Sequence, residues 1–318
     1  MIIPTFNSRN TILKTIESVL INKEDELEIL IVDDGSSDGT VELIKKKNFP
    51  YIKIFNCTHM GPANIKNFAI KHAKGNFICF LDSDDLLAPN YFEILRNNLT
   101  PKIDLLIFNY KTFRSSAEDK EEIRKISPTI SGMDTMVWNK VYSKSIIKKL
   151  NFPENTTYED VGFSVQAFLI SREFTYIDKT LYYYRQREGS VTKDPNKPVK
   201  IHLDIIKGFK EMFAFIKKYE VDLTENDKRE VSILVNKNIL MHIRKIIQLY
   251  NIQNKESKTT IVKLLNFKRD VNTLLGSRYS LLFSKTFKTN FKFCVMYFLI
   301  KIRRWGIIKS IVIRKNHK

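Results

Sequence analysis

Three carboxylates, Asp82, Asp84 and Asp85, follow directly on five apolar residues in the stretch FICFLDSDD, with only Ser83 between them. Like charges this close each raise the cost of ionising the next. Either solvent around an acidic turn or a divalent cation relieves that conflict, and hard carboxylate oxygens suit Mg²⁺ or Mn²⁺. A second acidic pair, Glu159–Asp160, opens the helix-spaced stretch EDVGFSVQAFLI. A carboxylate there can accept a proton, or can simply be a charge favoured by the helix dipole. Downstream, YYYRQREGSVT reads as a strand of three tyrosines, followed by Arg185, Arg187 and the Gly189–Ser190 turn. Arginines suit phosphate oxygens and a Gly-Ser turn presents backbone N–H groups; a solvated basic turn is the plain alternative.

The elements that must position these residues alternate in type. MIIPTF, LEILIVDD, YIKIFNC and NFICFLDSDD read as strands, and SRNTILKTIESVLIN, GTVELIKKK and GPANIKNFAIKHAKG as helices between them. This β-α-β alternation predicts a parallel sheet covered by helices, in which ligands bind beyond the carboxyl ends of the strands. Those ends are Thr5–Asn7, Asp33–Ser36 and Asp82–Asp85, so three polar clusters converge on one crevice. A solvated acidic turn would account for the last cluster alone, not for three at successive strand ends.

IIPTFN (2–7), IVDDGSSDGT (31–40), KNFAIKHAKG (66–75) and FLDSDD (80–85) resemble, in order and spacing, the signature stretches of family 2 glycosyltransferases with the GT-A fold, over residues 1 to 195. The resemblance implies an α/β, Rossmann-like, mostly parallel sheet with helices on both faces. It also implies inverting transfer of a sugar from a nucleotide-diphosphate donor, UDP expected, to an acceptor hydroxyl. By the same resemblance Pro4 and Phe6 line the nucleobase pocket, Asp34 accepts a hydrogen bond from the base and Asp82 lies near the ribose. Asp84 holds a divalent cation, Mn²⁺ or Mg²⁺, that bridges the diphosphate. Lys66 stands where the family usually has Arg, offering the nucleotide a charge without a bidentate fork. EDVGF resembles the family's E-D-x-x-F motif, which makes Asp160 the general base and Glu159 its positioning neighbour. Trp138, Asn139 and Lys140 of WNKVY are expected to face the donor sugar or the acceptor, an aromatic core position being the alternative. Arg185, Arg187 and Ser190 resemble a segment that closes over the diphosphate.

Charge separates the chain into two parts. Residues 1–199 carry 27 Lys and Arg against 26 Asp and Glu, whereas residues 200–318 carry 26 against 9. The first part is expected to be the catalytic domain and the second a basic helical appendage. After Asp270 eleven basic residues follow and no acidic one. There Phe293–Ile300 is too short to span a bilayer, and it is flanked by Lys292, Lys301, Arg303, Arg304 and Trp305. That pattern suits an anionic membrane surface or anionic glycopolymer, with a homo-oligomer interface second. No nucleic-acid module is recognisable.

Three scattered cysteines give no zinc or disulfide spacing, which fits a reducing compartment. No signal peptide precedes the first strand. The expectation is a bacterial enzyme on the cytoplasmic side of the plasma membrane, peripheral to it, moving a hexose or N-acetylhexosamine. Its acceptor is expected in surface polysaccharide, teichoic acid or a lipid-linked oligosaccharide. The rivals are a nucleotidyltransferase, disfavoured because Pro4–Arg9 has no glycine-rich phosphate loop, and a non-catalytic basic scaffold or nucleic-acid-binding protein.

Overall fold

Strands made of unbroken apolar runs are buried on both faces, and the central strand of the first half, Ile29–Asp33, is buried throughout. In the computed structural model, which describes residues 1–21, 27–49, 51–114, 122–186 and 196–276, β1 (Ile2–Thr5), β2 (Ile29–Asp33) and β3 (Ile52–Asn56) pair in parallel. Ile2 lies opposite Leu30 and Ile31 opposite Ile54. Parallel neighbours need a crossover, supplied by α1 (Ile12–Leu20) and α2 (Thr40–Lys47). Helix α1 buries Ile12, Thr15, Ile16 and Val19, the stripe that 3.6-residue periodicity brings to one side. After α3 (Pro62–His72) comes β4 (Phe77–Cys79). Just beyond β4, Phe80 bridges to Ile2 in parallel and the Leu81 amide donates to the Ile2 carbonyl at 2.9 Å. The acidic stretch is thereby set beside the end of β1.

The second half is a mixed sheet. It contains β4, β5 (Leu86–Leu87), β6 (Leu105–Phe113), β7 (Ile123–Arg124), β8 (Lys140–Ser143) and β9 (Phe174–Arg185), in the order β4-β8-β6-β9-β5, with β7 on β6. Only β6–β9 is parallel; β8 runs against both its neighbours, and β5 against β9. The parallel arrangement read from the sequence therefore describes the first three strands and the Phe80 bridge. Helices α4 (Tyr91–Asn98), α5 (Lys144–Ile147) and α6 (Glu159–Ile170) complete this part.

Beneath the acidic strand end lies an aromatic cluster. Phe152 and Phe163 stack at 3.8 Å with 2° between their planes, and Phe80 meets Phe152 edge-on at 5.7 Å. Tyr142 closes the group against Phe80 and Phe163. All four are fully buried, each contributing on the order of 1.5–3 kcal/mol by removal from water.

Two compact units are present: Met1–Glu188 with Lys210–Val221, and Gly189–Phe209 with Asp222–Lys318. The division falls inside α7 (Asp204–Lys218) rather than at residue 200. The second unit contains a 3₁₀ turn (Val199–Leu203), α8 (Glu225–Leu249) and α9 (Lys255–Leu274). Thr224 and Asp227 form a capping box at the start of α8. Arg187, Ser190 and the basic tail from residue 277 lie outside the described residues.

His202 and His242 are buried in the second unit with their Nδ1 atoms 2.9 Å apart, so one ring donates and the other accepts. Protonating the acceptor would set two donors face to face. Burial, then Lys245, lowers the His202 pKa to about 4; burial, His202 and Lys245 hold His242 well below its usual value. The unfolded chain takes up these protons near pH 6.5. Stability is therefore full above that pH and falls as pH drops from about 6.5 toward about 4. Urea midpoints should decline between pH 7.5 and 5 by an amount worth about 1–2 kcal/mol per histidine. Replacing the pair (His202→Phe with His242→Leu) should flatten that decline, and an unchanged pH dependence would refute the assignment.

Candidate active site

Hydrogen bonds between loops join the first two strand ends into one surface. The Asp34 amide donates to the Thr5 carbonyl and the Cys57 amide to that of Asp33, both at 2.8 Å. Asn7 has φ +46°, which turns its backbone toward the second loop. There its amide donates to Ser36 Oγ at 2.8 Å and its side-chain oxygen accepts from the Ser37 amide at 2.9 Å. The Asp33 carboxylate accepts from the amides of Gly35 and Ser36 and from the Ser36 hydroxyl, so it caps the turn. Asp34 accepts from the amides of Met60 (2.5 Å) and Gly61 (3.0 Å), which fixes the loop leading into α3. Phe6 stands out of this surface, 50% exposed, with the His59 ring edge-on at 5.8 Å. Pro4 is in β1 beneath it.

The acidic turn is held by hydroxyls. Ser8 Oγ lies 2.6 Å from Ser83 Oγ, and the Ser83 carbonyl accepts from Thr11 Oγ1 (2.9 Å) and Thr15 Oγ1 (3.1 Å). Thr15 also donates to the Asp85 carbonyl at 2.9 Å. Asp85 points inward and is fully buried, accepting from the Tyr182 hydroxyl and the Arg185 amide at 2.7 Å each. Burial, then Asp82 and Asp84, push its pKa well above the usual carboxylate range. The Tyr182 oxygen in turn accepts from the Asp82 amide at 3.1 Å. The Asp82 carboxyl is pushed up to about 7 by burial, with Asp160, Asp84 and Glu159 adding to the shift and Lys66 opposing it. Arg185 donates from Nε to the Asp84 carbonyl at 2.7 Å, its guanidinium lying over the Phe113 ring.

Lys66, from α3, reaches the first turn of α6. Its ammonium lies 3.0 Å from Glu159 Oε1 and 2.7 Å from Asp160 Oδ1, and 5.0 Å from the centre of the Phe152 ring. Burial alone would lower its pKa, but Asp160, Glu159 and Asp82 outweigh that and raise it. Glu159 is buried, and burial raises its pKa against the pull of Lys66; Asp160 is the more open of the pair, its side chain 24% exposed. Removing one partner of a buried ion pair costs roughly 3–5 kcal/mol, because the other charge is left uncompensated. The structure thus brings Lys66, Asp82, Glu159 and Asp160 together, with the Lys66 charge held by two carboxylates.

The WNKVY residues face inward. Trp138 stacks on Tyr182 (4.2 Å, 11°) and Tyr184 (5.3 Å, 22°), rings two apart on β9. Asn139 donates to the Phe108 and Met133 carbonyls. Lys140, fully buried, donates to the carbonyls of Met136 (2.6 Å), Asp134 (2.9 Å) and Met133 (3.4 Å) and to Asn139 Oδ1 (2.7 Å). Burial lowers its pKa to about 7, against Asp134 and Asp160. Full burial with internal partners gives Asn139 and Lys140 the shaping of the loop before β8, where contact with sugar or acceptor was expected. The hydroxyls at 8, 11 and 15 were not singled out by sequence reasoning, although their spacing of three and four residues marks one helix face. Tyr182 gave no such signal, since its partners are a hundred residues away.

The model of glycosyl transferase family 2 matches residues 1–165. The EpsH protein of Bacillus subtilis, described as a glycosyltransferase, is 29% identical over 250 residues, covering 72% of this chain and 70% of that one. Staphylococcus aureus TarS, a poly(ribitol-phosphate) beta-N-acetylglucosaminyltransferase, is 27% identical over 206 residues, covering 59% of this chain and 36% of that one. The crystal structure of TarS 1-349 in complex with UDP-GlcNAc superposes with a TM-score of 0.67 at 19% identity, covering 99% of this chain and 90% of that one. A Pyrobaculum calidifontis mannosyltransferase in complex with GDP-Man and Mn²⁺ gives 0.54 at 13% identity, covering 98% and 84%. The fold is GT-A, and the chain belongs to glycosyl transferase family 2, the glycosyltransferases.

Proposed function

We propose that the chain transfers a sugar, with inversion, from a nucleoside-diphosphate sugar to a hydroxyl of a cell-surface glycopolymer or lipid-linked glycan. The observation that carries this reading is the joining, at the carboxyl ends of parallel strands, of the Asp34 loop, the Asp82–Asp85 turn and the Glu159–Asp160 pair. Phe6, with Pro4 below it, offers an exposed ring on which a nucleobase stacks, and Asp34 retains acceptor capacity toward it. TarS, described as acting on a poly(ribitol-phosphate) and seen with UDP-GlcNAc, supports UDP as the nucleotide and an anionic polymer as acceptor.

The residues fit a divalent cation. Asp82 is disfavoured as an anion by burial and by Asp160, Asp84 and Glu159, an imbalance that a cation beside the turn would relieve. Among the described residues no three His, Cys, Asp or Glu side chains form a metal cage. One or two carboxylates completed by substrate phosphates is the usual manner of binding Mg²⁺. Asp84 is the proposed ligand, and Mn²⁺ or Mg²⁺ held there would stabilise charge on the departing diphosphate.

In the transfer, the acceptor oxygen bonds to the anomeric carbon as the carbon–oxygen bond to the diphosphate breaks. The acceptor proton passes to the Asp160 carboxylate and the bonding pair leaves with the nucleoside diphosphate. Asp160 suits this role because it is the more open of the pair at the start of α6, whose dipole favours the anion. Arg185, anchored on the Asp84 carbonyl, with Arg187 and Ser190 beyond it in sequence, is proposed to contact the diphosphate.

The enzyme is proposed to sit at the inner face of the plasma membrane. Among the described residues no helix is long and apolar enough to cross a membrane. Support for a peripheral site comes from the eleven basic and no acidic residues after Asp270.

Three tests follow from these roles. A panel of UDP-, GDP-, CDP- and dTDP-sugars assayed with Mn²⁺ or Mg²⁺ should select one donor, and Asp84→Asn should abolish metal-stimulated turnover with the fold intact; full activity in excess chelator would rule out the metal. Asp160→Asn should lower transfer at least ~10²-fold with donor affinity nearly unchanged, and loss of donor affinity without loss of rate would make Asp160 a binding residue. The full chain should co-sediment with vesicles containing anionic lipid and release at high salt, while a chain lacking residues 290–318 should not. Equal binding to neutral vesicles, or none at all, would remove the membrane assignment.

A further inference from the structure

Lys66 is positioned unlike a group kept for a ligand. It is 5% exposed, and its ammonium is hydrogen-bonded to Glu159 and Asp160, which lie 93 and 94 residues away on another helix. Two of the three ammonium protons are thereby committed to carboxylates, on a side chain with little surface left for a phosphate. The neighbouring Asn67 holds the same assembly. Its Nδ2 donates to the Phe152 carbonyl at 3.0 Å and its Oδ1 accepts from the Phe152 amide at 2.8 Å. The Phe152 ring meets both the Lys66 ammonium and Phe163, which belongs to α6, the helix that carries Glu159 and Asp160. Two adjacent residues of α3 therefore hold the start of α6 twice, at its first turn through charge and at Phe163 through the aromatic stack.

The charges around this point make a cation necessary. Glu159 and Asp160 are adjacent on one helical turn, and Asp82 interacts electrostatically with both. Among the described residues Tyr142 and Lys140 also interact electrostatically with Asp160, and Lys140 is held by the carbonyls of its own loop. Lys66 is the cation hydrogen-bonded to the pair.

We infer that Lys66 is the positioning residue of the general base: it holds the Asp160 carboxylate in place and aimed at the acceptor, with Asn67 and Phe152 bracing the helix, and does not bind the nucleotide. The inference rests on the glycosyl-transfer reading and on Asp160 as base. Lysine suits the place, because a compact ammonium sits between two carboxylates of different helix positions, whereas a guanidinium fork matches one carboxylate or phosphate bidentately. A base held about 1 Å from its productive place loses on the order of 10²-fold in rate.

The test measures kcat, donor KM and UDP dissociation constant for wild type, Lys66→Met, Lys66→Arg and Asp160→Asn, and for Lys66→Met combined with Asp160→Asn. Lys66→Met should lower kcat by roughly 10- to 100-fold, with the UDP dissociation constant within about threefold of wild type. Added to Asp160→Asn it should lower kcat no further, since a residue acting through another has nothing left to act on. Lys66→Arg, which keeps the charge without the compact ammonium, should recover part of the rate without tightening UDP. An independent, multiplicative loss in the double variant, or UDP binding weakened tenfold by Lys66→Met with kcat kept, overturns the inference. Should Lys66→Met alone fail to fold, Lys66→Arg still decides: a nucleotide ligand would gain UDP affinity from the guanidinium, a positioning residue would not. Wild type inactive with every donor of the panel would instead refute the transfer reading itself.

Discussion

Repulsion among carboxylates is the constraint around which the catalytic unit is organised. Asp82, Asp84, Asp85, Glu159 and Asp160 gather about one strand end, and two unit charges 4 Å apart interact by about 4 kcal/mol at an effective dielectric of 20. The chain handles each differently. Asp85 is sunk into the fold and hydrogen-bonded by Tyr182 and the Arg185 amide. Glu159 and Asp160 share Lys66. Asp82 is left with its pKa raised to about 7, and Asp84 remains half-buried at the turn. The charge that burial and its acidic neighbours oppose thus lies at Asp82, next to where a departing diphosphate and its counter-ion are proposed to sit.

The site occupies the seam between two kinds of pairing. On one side β1, β2 and β3 run parallel; on the other β4, β8 and β6 alternate. The Ile2–Phe80 bridge joins them. A parallel strand presents its carboxyl end to the crevice, and β9, parallel to β6 and antiparallel to β5, is brought in by the mixed sheet. Tyr182 can therefore reach the acidic turn from a strand a hundred residues later. The hydroxyls of Ser8, Thr11 and Thr15 perform the corresponding task from the start of α1 and the loop before it, Ser8 on the Ser83 hydroxyl and the two threonines on main-chain carbonyls, adding no charge. Neutral donors are the suitable support for a turn already too negative.

Local pattern made much of this visible in the amino-acid sequence. Short apolar-rich runs identified the parallel strands, and polar residues at their ends marked where a crevice was expected, because both depend on neighbours a few positions apart. The mixed sheet was less legible: β8 and β5 are only four and two residues long, and pairing direction is set by where the chain returns. Partners distant in sequence were not legible. Lys66 reads as a charge for phosphate until Glu159 and Asp160 are seen against it, and Lys140 as a ligand contact until it is found enclosed by carbonyls. The inward turn of Asp85 is likewise indistinguishable, in a run of three acids, from the outward one of Asp84.

The enclosure of Lys140 has an evolutionary consequence. Three of its four acceptors are main-chain carbonyls, those of Met133, Asp134 and Met136, and Ser164 likewise holds the carbonyl of Thr135. Carbonyls are supplied by every residue type, so the path of this loop does not depend on which side chains stand at 135 and 136. Those two positions can change through drift or selection while the backbone keeps its course. A scaffold whose shape is fixed by an invariant chemical group can try new surface residues at little cost to folding.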